Sequence, residues 1–349
     1  MSCPVMRPTR RRHRGRSRID TVRRRRVGLP RSRPLSPTKP RARWRGTPSV
    51  RSRLSALPRL RTMCADRIPS NPPHMQHHAS TGPQRIEQAF QRAVAEGRPA
   101  LMPFLTAGDP DPATTVSLLR ALPIAGADII ELGVPFSDPI ADGPVIAESM
   151  HRALLRGVTP ESALACVGEA RSSAPVLAMV SVSIVERVGV HPFIAMARAA
   201  GLDGLIVPDA GPDFWTDALL YEADAAGLAI VELIAPTTPI DRVRRIVLRA
   251  RSFVYLLARA GITGEQRDAP DIARRVEAIR AIAPVRIAVG FGISNADHVR
   301  AVGAHADGAI VGSALVRRLV DGQAAGEDPV RVAADFVAAL RGAGRVKGQ

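Results

Sequence analysis

Eight short apolar runs, each followed by a stretch with helical spacing, recur from about residue 85 to the end of the sequence. The runs are Leu101–Leu105, Asp128–Leu132, Val176–Ser181, Gly204–Val207, Ala229–Ile234, Phe253–Leu257, Arg286–Val289 and Gly308–Val311. Near-continuous apolar strands of this length are what a parallel sheet needs when helices cover both its faces. Amphipathic segments separate them: 113–122, 143–155 with 160–171, 191–200, 213–226, 238–250, 271–282 and 295–303. Residues 86–94 precede the series, and 314–321 and 329–341 close it. Such alternation builds either a (β/α)8 TIM barrel or a doubly wound open sheet. A body of about 265 residues lies close to the roughly 250 typical of the barrel, which favours an α/β fold of that kind.

The formal charge of +17 suggests a polyanion partner, but the charge is unevenly placed. Residues 1–62 carry 21 Lys and Arg against one acid, Asp20, leaving 28 bases and 31 acids in the remainder. Residues 1–80 are rich in Arg, Pro and Ser and have no helical or strand period. A segment of this composition buries too little apolar surface to offset its ordering entropy. The expected organisation is therefore a disordered basic extension over 1–80 and a barrel domain over 81–349. The extension reads as a start assigned too far upstream (Met63 or Met75 being the alternatives), as a transit segment, or as a polyanion-binding arm. Only Trp44 interrupts the arginines, so base stacking has little support and a nucleic-acid partner is not expected. Cys3, Cys64 and Cys166 have no metal or redox spacing and fit a cytoplasmic protein. No apolar run is long enough to cross a membrane.

Chemistry in a barrel sits at the C-terminal ends of the strands. Glu131 stands there, at the end of an apolar run with no base nearby in the following loop, and Asp142 returns toward it after Gly-Val-Pro-Phe-Ser-Asp-Pro-Ile-Ala. Burial without a partner raises a carboxyl into the working range of a general acid or base. A salt-bridged strand end is the competing reading for Glu131, and turn chemistry for Asp142. Asp138 suits a loop cap or a partner contact. Ser181, Asp209, Thr263 and Ser313 also fall at strand ends. Glycines follow the last three strands, in Gly261-Ile-Thr-Gly264, Gly290-Phe-Gly292 and Gly312-Ser313. Glycine lets backbone N–H groups approach an anion, and a helix N-terminus adds its dipole, so together they suggest a phosphate cradle. The histidines show no metal-ligand spacing, and no Gly-x-Ser-x-Gly elbow is present.

Several segments fall in one known order: PFLTAGDP (103–110), GADIIELGVPFSDPIADGP (126–144), RGVTPESAL (156–164), YLLARAGITG (255–264), GFGIS (290–294) and GSALV (312–316). In them the body, roughly 85–341, resembles the tryptophan synthase alpha subunit family. The resemblance implies a TIM barrel that cleaves indole-3-glycerol phosphate to indole and glyceraldehyde 3-phosphate by a retro-aldol reaction. By the same resemblance Glu131 is the catalytic glutamate, protonating indole C3 and helping to remove the glycerol hydroxyl proton. Asp142 is the aspartate that accepts the indole N–H. Tyr255 lies near the glutamate, Thr263 sits on a closing loop, and Phe104 and Phe291 wall the indole pocket. Gly264, Gly292, Gly312 and Ser313 hold the phosphate. No cofactor is implied for this half-reaction. The implied partner is a pyridoxal-phosphate beta subunit that receives indole through a tunnel. The third strand departs from the family: Val180 replaces an aromatic or hydroxyl residue, and Val182 an asparagine on the surface facing the beta subunit. This departure raises the alternative of a free-standing lyase that releases indole; a phosphate-binding barrel without catalysis is a further alternative, against which the intact Glu131/Asp142 pair argues.

Overall fold

Successive residues of a strand point to opposite faces, and in this sheet both faces are apolar. The structure, a computed structural model, describes residues 80–139, 142–211, 213–258, 272–290 and 292–343. Residues 1–79, which hold nearly all of the expected basic extension, lie outside the described residues.

The strands are β1 (Ala100–Thr106), β2 (Ile130–Gly133), β3 (Val176–Met179), β4 (Gly204–Ile206), β5 (Ala229–Val231), β6 (Leu233–Ile234), β7 (Phe253–Leu257), β8 (Arg286–Gly290) and β9 (Gly308–Val311). All their pairings are parallel, in the order β5-β4-β3-β2-β1-β9-β8-β7-β6. The two ends of that order, β5 and β6, are one chain segment divided at Glu232. One half pairs with β4 and the other with β7. The sheet therefore closes on itself, and the run Ala229–Ile234 acts as a single barrel strand. The barrel is the fold that the alternation and the length favour.

One set of alternate side chains fills the interior: Ala100 and Met102, Ile129, Leu177, Ile206, Ala229 and Val231, Phe253 and Tyr255, Ala288, and Ile310. The intervening residues, such as Leu101, Leu132, Ala178 and Val254, pack outward against the helices. Helix α1 (Gly82–Ala95) belongs to the interior set, through Ile86, Ala89, Phe90 and Ala93. Phe90 meets Phe253 edge to face, with centroids 5.5 Å apart. This helix thus plugs the N-terminal end of the barrel.

The outer layer follows the chain as α2 (Pro112–Ala125), α3 (Pro144–Leu155), α4 (Pro160–Ala170), α5 (Val182–Val188), α6 (Val190–Ala199), α7 (Asp217–Ala225), α8 (Ile240–Arg249), α9 (Ala273–Arg280), α10 (Ala296–Gly303), α11 (Ser313–Ala324) and α12 (Pro329–Ala343). The third and fifth strands depart from the expectation by more than the shift of an end. The third strand stops at Met179 rather than Ser181, because Ser181 is the N-cap of α5, its hydroxyl accepting from the Ser183 N–H. The β-branched run Val180–Val185 has strand-like composition and hides this short helix. The fifth strand breaks at Glu232, whose carboxylate turns out to Arg249 of α8 at 2.5 and 2.7 Å.

Three aspartates stitch the N-terminal end of the barrel. Asp128 accepts from the Leu101 N–H, Asp203 from Val176 and Asp307 from Ile287. Each also holds an arginine: Arg98, Arg85 and Arg286 respectively. Buried carboxylates at this end are paired and hydrogen-bonded, as burial of charge requires.

Candidate active site

At the opposite end the rule is broken. Glu131 lies two residues beyond the inward-facing Ile129, so the pleat of β2 turns it into the barrel. It is in register with Phe104 on one side and Leu177 on the other. It is 0% exposed, and among the described residues neither carboxylate oxygen has a hydrogen-bond partner. Burial pushes its pKa up to about 8, so at neutral pH the carboxyl carries its proton.

Asp142 ends the loop from β2 and directly precedes Gly143, the N-cap of α3. Burial, and then the negative charge of Asp209, raise its pKa to about 6. It is thus mostly ionised at neutral pH, whereas Glu131 is mostly protonated. Two acids whose pKa values are held apart in this way suit an acid and an acceptor. Tyr255, on β7, joins them. Its hydroxyl is held well above the usual tyrosine range by burial and by the charges of Glu131 and Asp142. It fits because Gly290 on the neighbouring strand has no side chain: a Cβ there would stand 2.2 Å from the Tyr255 hydroxyl. Gly290, read from sequence as part of the phosphate cradle, makes room for this ring.

Phe104 forms an apolar wall with Ile146 and Met150 of α3 and Val316 of α11, with Val145 and Met179 packed against them. Helix α3 therefore reaches over the barrel mouth. It is tied down by a 2.6 Å hydroxyl contact between Ser149 and Thr106 at the end of β1, and by Arg152 on Asp109 at 2.7 and 3.0 Å. Sequence reasoning missed Ile146, Met150 and Met179. The i, i+4 spacing of Ile146 and Met150 marks a core-facing stripe but does not reveal that the stripe faces the mouth. From sequence, Asp209 is a polar strand end that keeps the acidic position the family resemblance implies after strand four. Its carboxylate accepts from the Ser181 hydroxyl at 2.7 Å and the Val182 N–H at 2.8 Å. With Asp138, Asp142, Met179 and Val180 it lines a small pocket beside the wall.

Of the glycines read as a phosphate cradle, Gly312 is the N-cap of α11 and lies near Phe104, with Ser313 buried as the first helical residue. The first turn of a helix offers N–H groups with no intrahelical acceptor, which is what binds phosphate at such ends. Gly292 sits just before α10 with φ +83°, a conformation that suits glycine. Thr263, Gly264 and Phe291, along with Gly261, lie outside the described residues. Val180 is buried, and Val182 is half-buried against the outer core. Among the described residues no group of His, Cys, Asp and Glu gathers as a metal site would, and no helix is long and apolar enough to cross a membrane.

Fold and site together define a class: (β/α)8 barrels with a buried, protonatable carboxylate at the C-terminal mouth, beside an apolar wall and a helix N-terminus. Comparison with known proteins narrows the class. The chain belongs to the tryptophan synthase alpha chain family, whose model matches residues 90–341. It is 45% identical over 263 residues to the tryptophan synthase alpha chain of Burkholderia pseudomallei (strain 1106a), covering 74% of this chain and 96% of that one. The alpha chain of Burkholderia multivorans is 44% identical over 265 residues, with the same coverage. Among solved structures, Mycobacterium tuberculosis tryptophan synthase matches with TM-score 0.68 and 32% identity over 77% of this chain and 100% of that one. The alpha subunit from Legionella pneumophila matches with TM-score 0.68 and 32% identity, over 76% and 98%.

Proposed function

We propose that this lyase cleaves indole-3-glycerol phosphate to indole and glyceraldehyde 3-phosphate, with Glu131 and Asp142 as its catalytic residues. The observation that carries the reading is Glu131: a fully buried carboxyl without a partner among the described residues, facing into the mouth of a barrel of this family. Breaking the bond between indole and the glycerol chain requires a proton at indole C3 and removal of a proton from the adjacent hydroxyl. A carboxyl that is protonated at rest delivers the first and can then take the second. Positive charge develops on the indole nitrogen as C3 is protonated, and an ionised Asp142 accepting that N–H stabilises it. One preorganised group of this kind contributes about 3 kcal/mol. Phe104 walls the heterocycle, Tyr255 packs beside the acids, and Gly292, Gly312 and Ser313 hold the phosphate end. Thr263, Gly264 and Phe291 complete the assignment. The half-reaction is proton transfer and bond cleavage within one substrate.

A beta subunit is the partner this reading assigns, and the cytoplasm its location. The catalytic unit is residues 81–349. Indole release by the full chain, measured with and without a beta subunit, tests the proposal. Absence of indole under both conditions would sink the activity. Release that a beta subunit neither stimulates nor accompanies with complex formation would remove the partnership alone.

A further inference from the structure

Where the third strand departs from its family, the chain turns inward onto Asp209. Both carboxylate oxygens of Asp209 are occupied from the β3–α5 junction, one by the Ser181 hydroxyl at 2.7 Å and the other by the Val182 N–H at 2.8 Å. The Ser181 hydroxyl also accepts from the Ser183 N–H, as the cap of α5. Asp209 is thereby fixed in place across a small pocket from Asp142. The two donors on that wall are used up by Asp209, and among the described residues none reaches the Asp142 carboxylate. Among the described residues, Asp138 on its own loop and Asp209 beyond β4 share the pocket with Asp142, and Tyr255 on β7 feels the charges of both Asp142 and Glu131.

We propose that Asp209, clamped by Ser181 and the Val182 amide, is a positioning residue that repels the Asp142 carboxylate toward the barrel axis, where the heterocycle N–H is bound. Like charges disfavour one another's ionised forms and push the mobile partner away. Among the described residues Asp209 has two donors holding it and Asp142 has none, so Asp142 is the one that turns. The raised pKa of Asp142, caused in part by Asp209, is the signature expected of this arrangement. The inference rests on the catalytic reading of Asp142.

The test uses the full chain. Indole release is followed against pH for wild type, Asp209→Asn, Ser181→Ala and Ser181→Thr. In Asp209→Asn the acid limb moves to lower pH, and kcat falls about tenfold, as for a misplaced group, with KM little changed because the phosphate anchor is intact. Ser181→Ala lowers kcat in the same way, and Ser181→Thr, which keeps the hydroxyl, restores it. An unmoved acid limb in Asp209→Asn overturns the proposal. Should Asp209→Asn fail to fold, the serine pair decides: wild-type kcat in Ser181→Ala overturns the proposal. A carboxyl NMR titration of Asp142 in wild type and Asp209→Asn needs no turnover. An unchanged midpoint there defeats the inference even if the lyase reading fails, while a wild type without indole release defeats only that reading.

Discussion

Asp128 and Glu131, three residues apart, carry opposite loads. Asp128 is buried with Arg98 at 2.5 and 3.0 Å and the Leu101 N–H at 2.8 Å. Removing it in Asp128→Ala leaves the buried Arg98 with only Glu96 and the Pro99 carbonyl and should cost about 3 kcal/mol, read from urea unfolding, with turnover per folded molecule unchanged. Glu131→Gln should do the reverse, abolishing most indole release, about a hundredfold or more, while relieving a burden on the fold. The sign follows from linkage. The folded pKa is raised from 4.5 to about 8, so between those values the folded chain holds a proton the unfolded chain has released. Stability then falls as pH rises through that window, at up to about 1.4 kcal/mol per unit. The stability of Glu131→Gln relative to wild type should grow from pH 5 to pH 8.5. An equal difference at both values would mean that burial is not what holds the proton. For turnover itself, ionised Asp142 and protonated Glu131 are needed together, which predicts a bell with limbs near 6 and 8. A flat profile across that range would contradict the division of labour.

Among the elements, β8 does its work by omission. A Cβ on Gly290 would lie 2.2 Å from the Tyr255 hydroxyl and 2.6 Å from its ring, so Gly290→Ala must displace a fully enclosed side chain. Overpacking of this kind costs about 1–3 kcal/mol, and here it should also lower indole release by moving the tyrosine against the acids. Thermal melting and kcat measured on the same preparation check both halves. The strands were legible in the sequence because each is apolar on both faces, and Glu131 was legible because a carboxyl interrupts such a run. Helix α5 was not, since Val182, Ile184 and Val185 carry a strand-like composition and only the Ser181 cap betrays the helix. The break at Glu232 was hidden as well, because it depends on Arg249 of α8 lying outside the sheet. Asp209, Ile146 and Met150 needed knowledge of where distant elements land: the clamp on Asp209 comes from the start of α5, and the wall around Ile146 from β1 and α11. Local pattern records which face of an element is apolar, not what that face meets.

At the scale of the whole molecule, the barrel begins with α1. Thr81 forms a capping box with Gln84, and Arg85 holds Asp203 through two contacts of 2.9 Å. The helix and its anchors thus start just beyond the basic segment. Deleting residues 1–80 should leave both the melting temperature and indole release at wild-type values. Loss of folded protein on that deletion would show that the segment contributes to the barrel. The ring of strands, for its part, has a clasp. Every other neighbouring pair is joined along uninterrupted strands, but between β4 and β7 the circle is completed by three paired residues on one side of Glu232 and two on the other. A bracelet opens at its fastener. Under native-state hydrogen exchange the amides of 229–234 should be released ahead of those of β1, which is gripped along its length by β2 and β9. An enzyme that must admit a bulky heterocycle from above would then have, built into one side of its wall, the place where the hoop gives first.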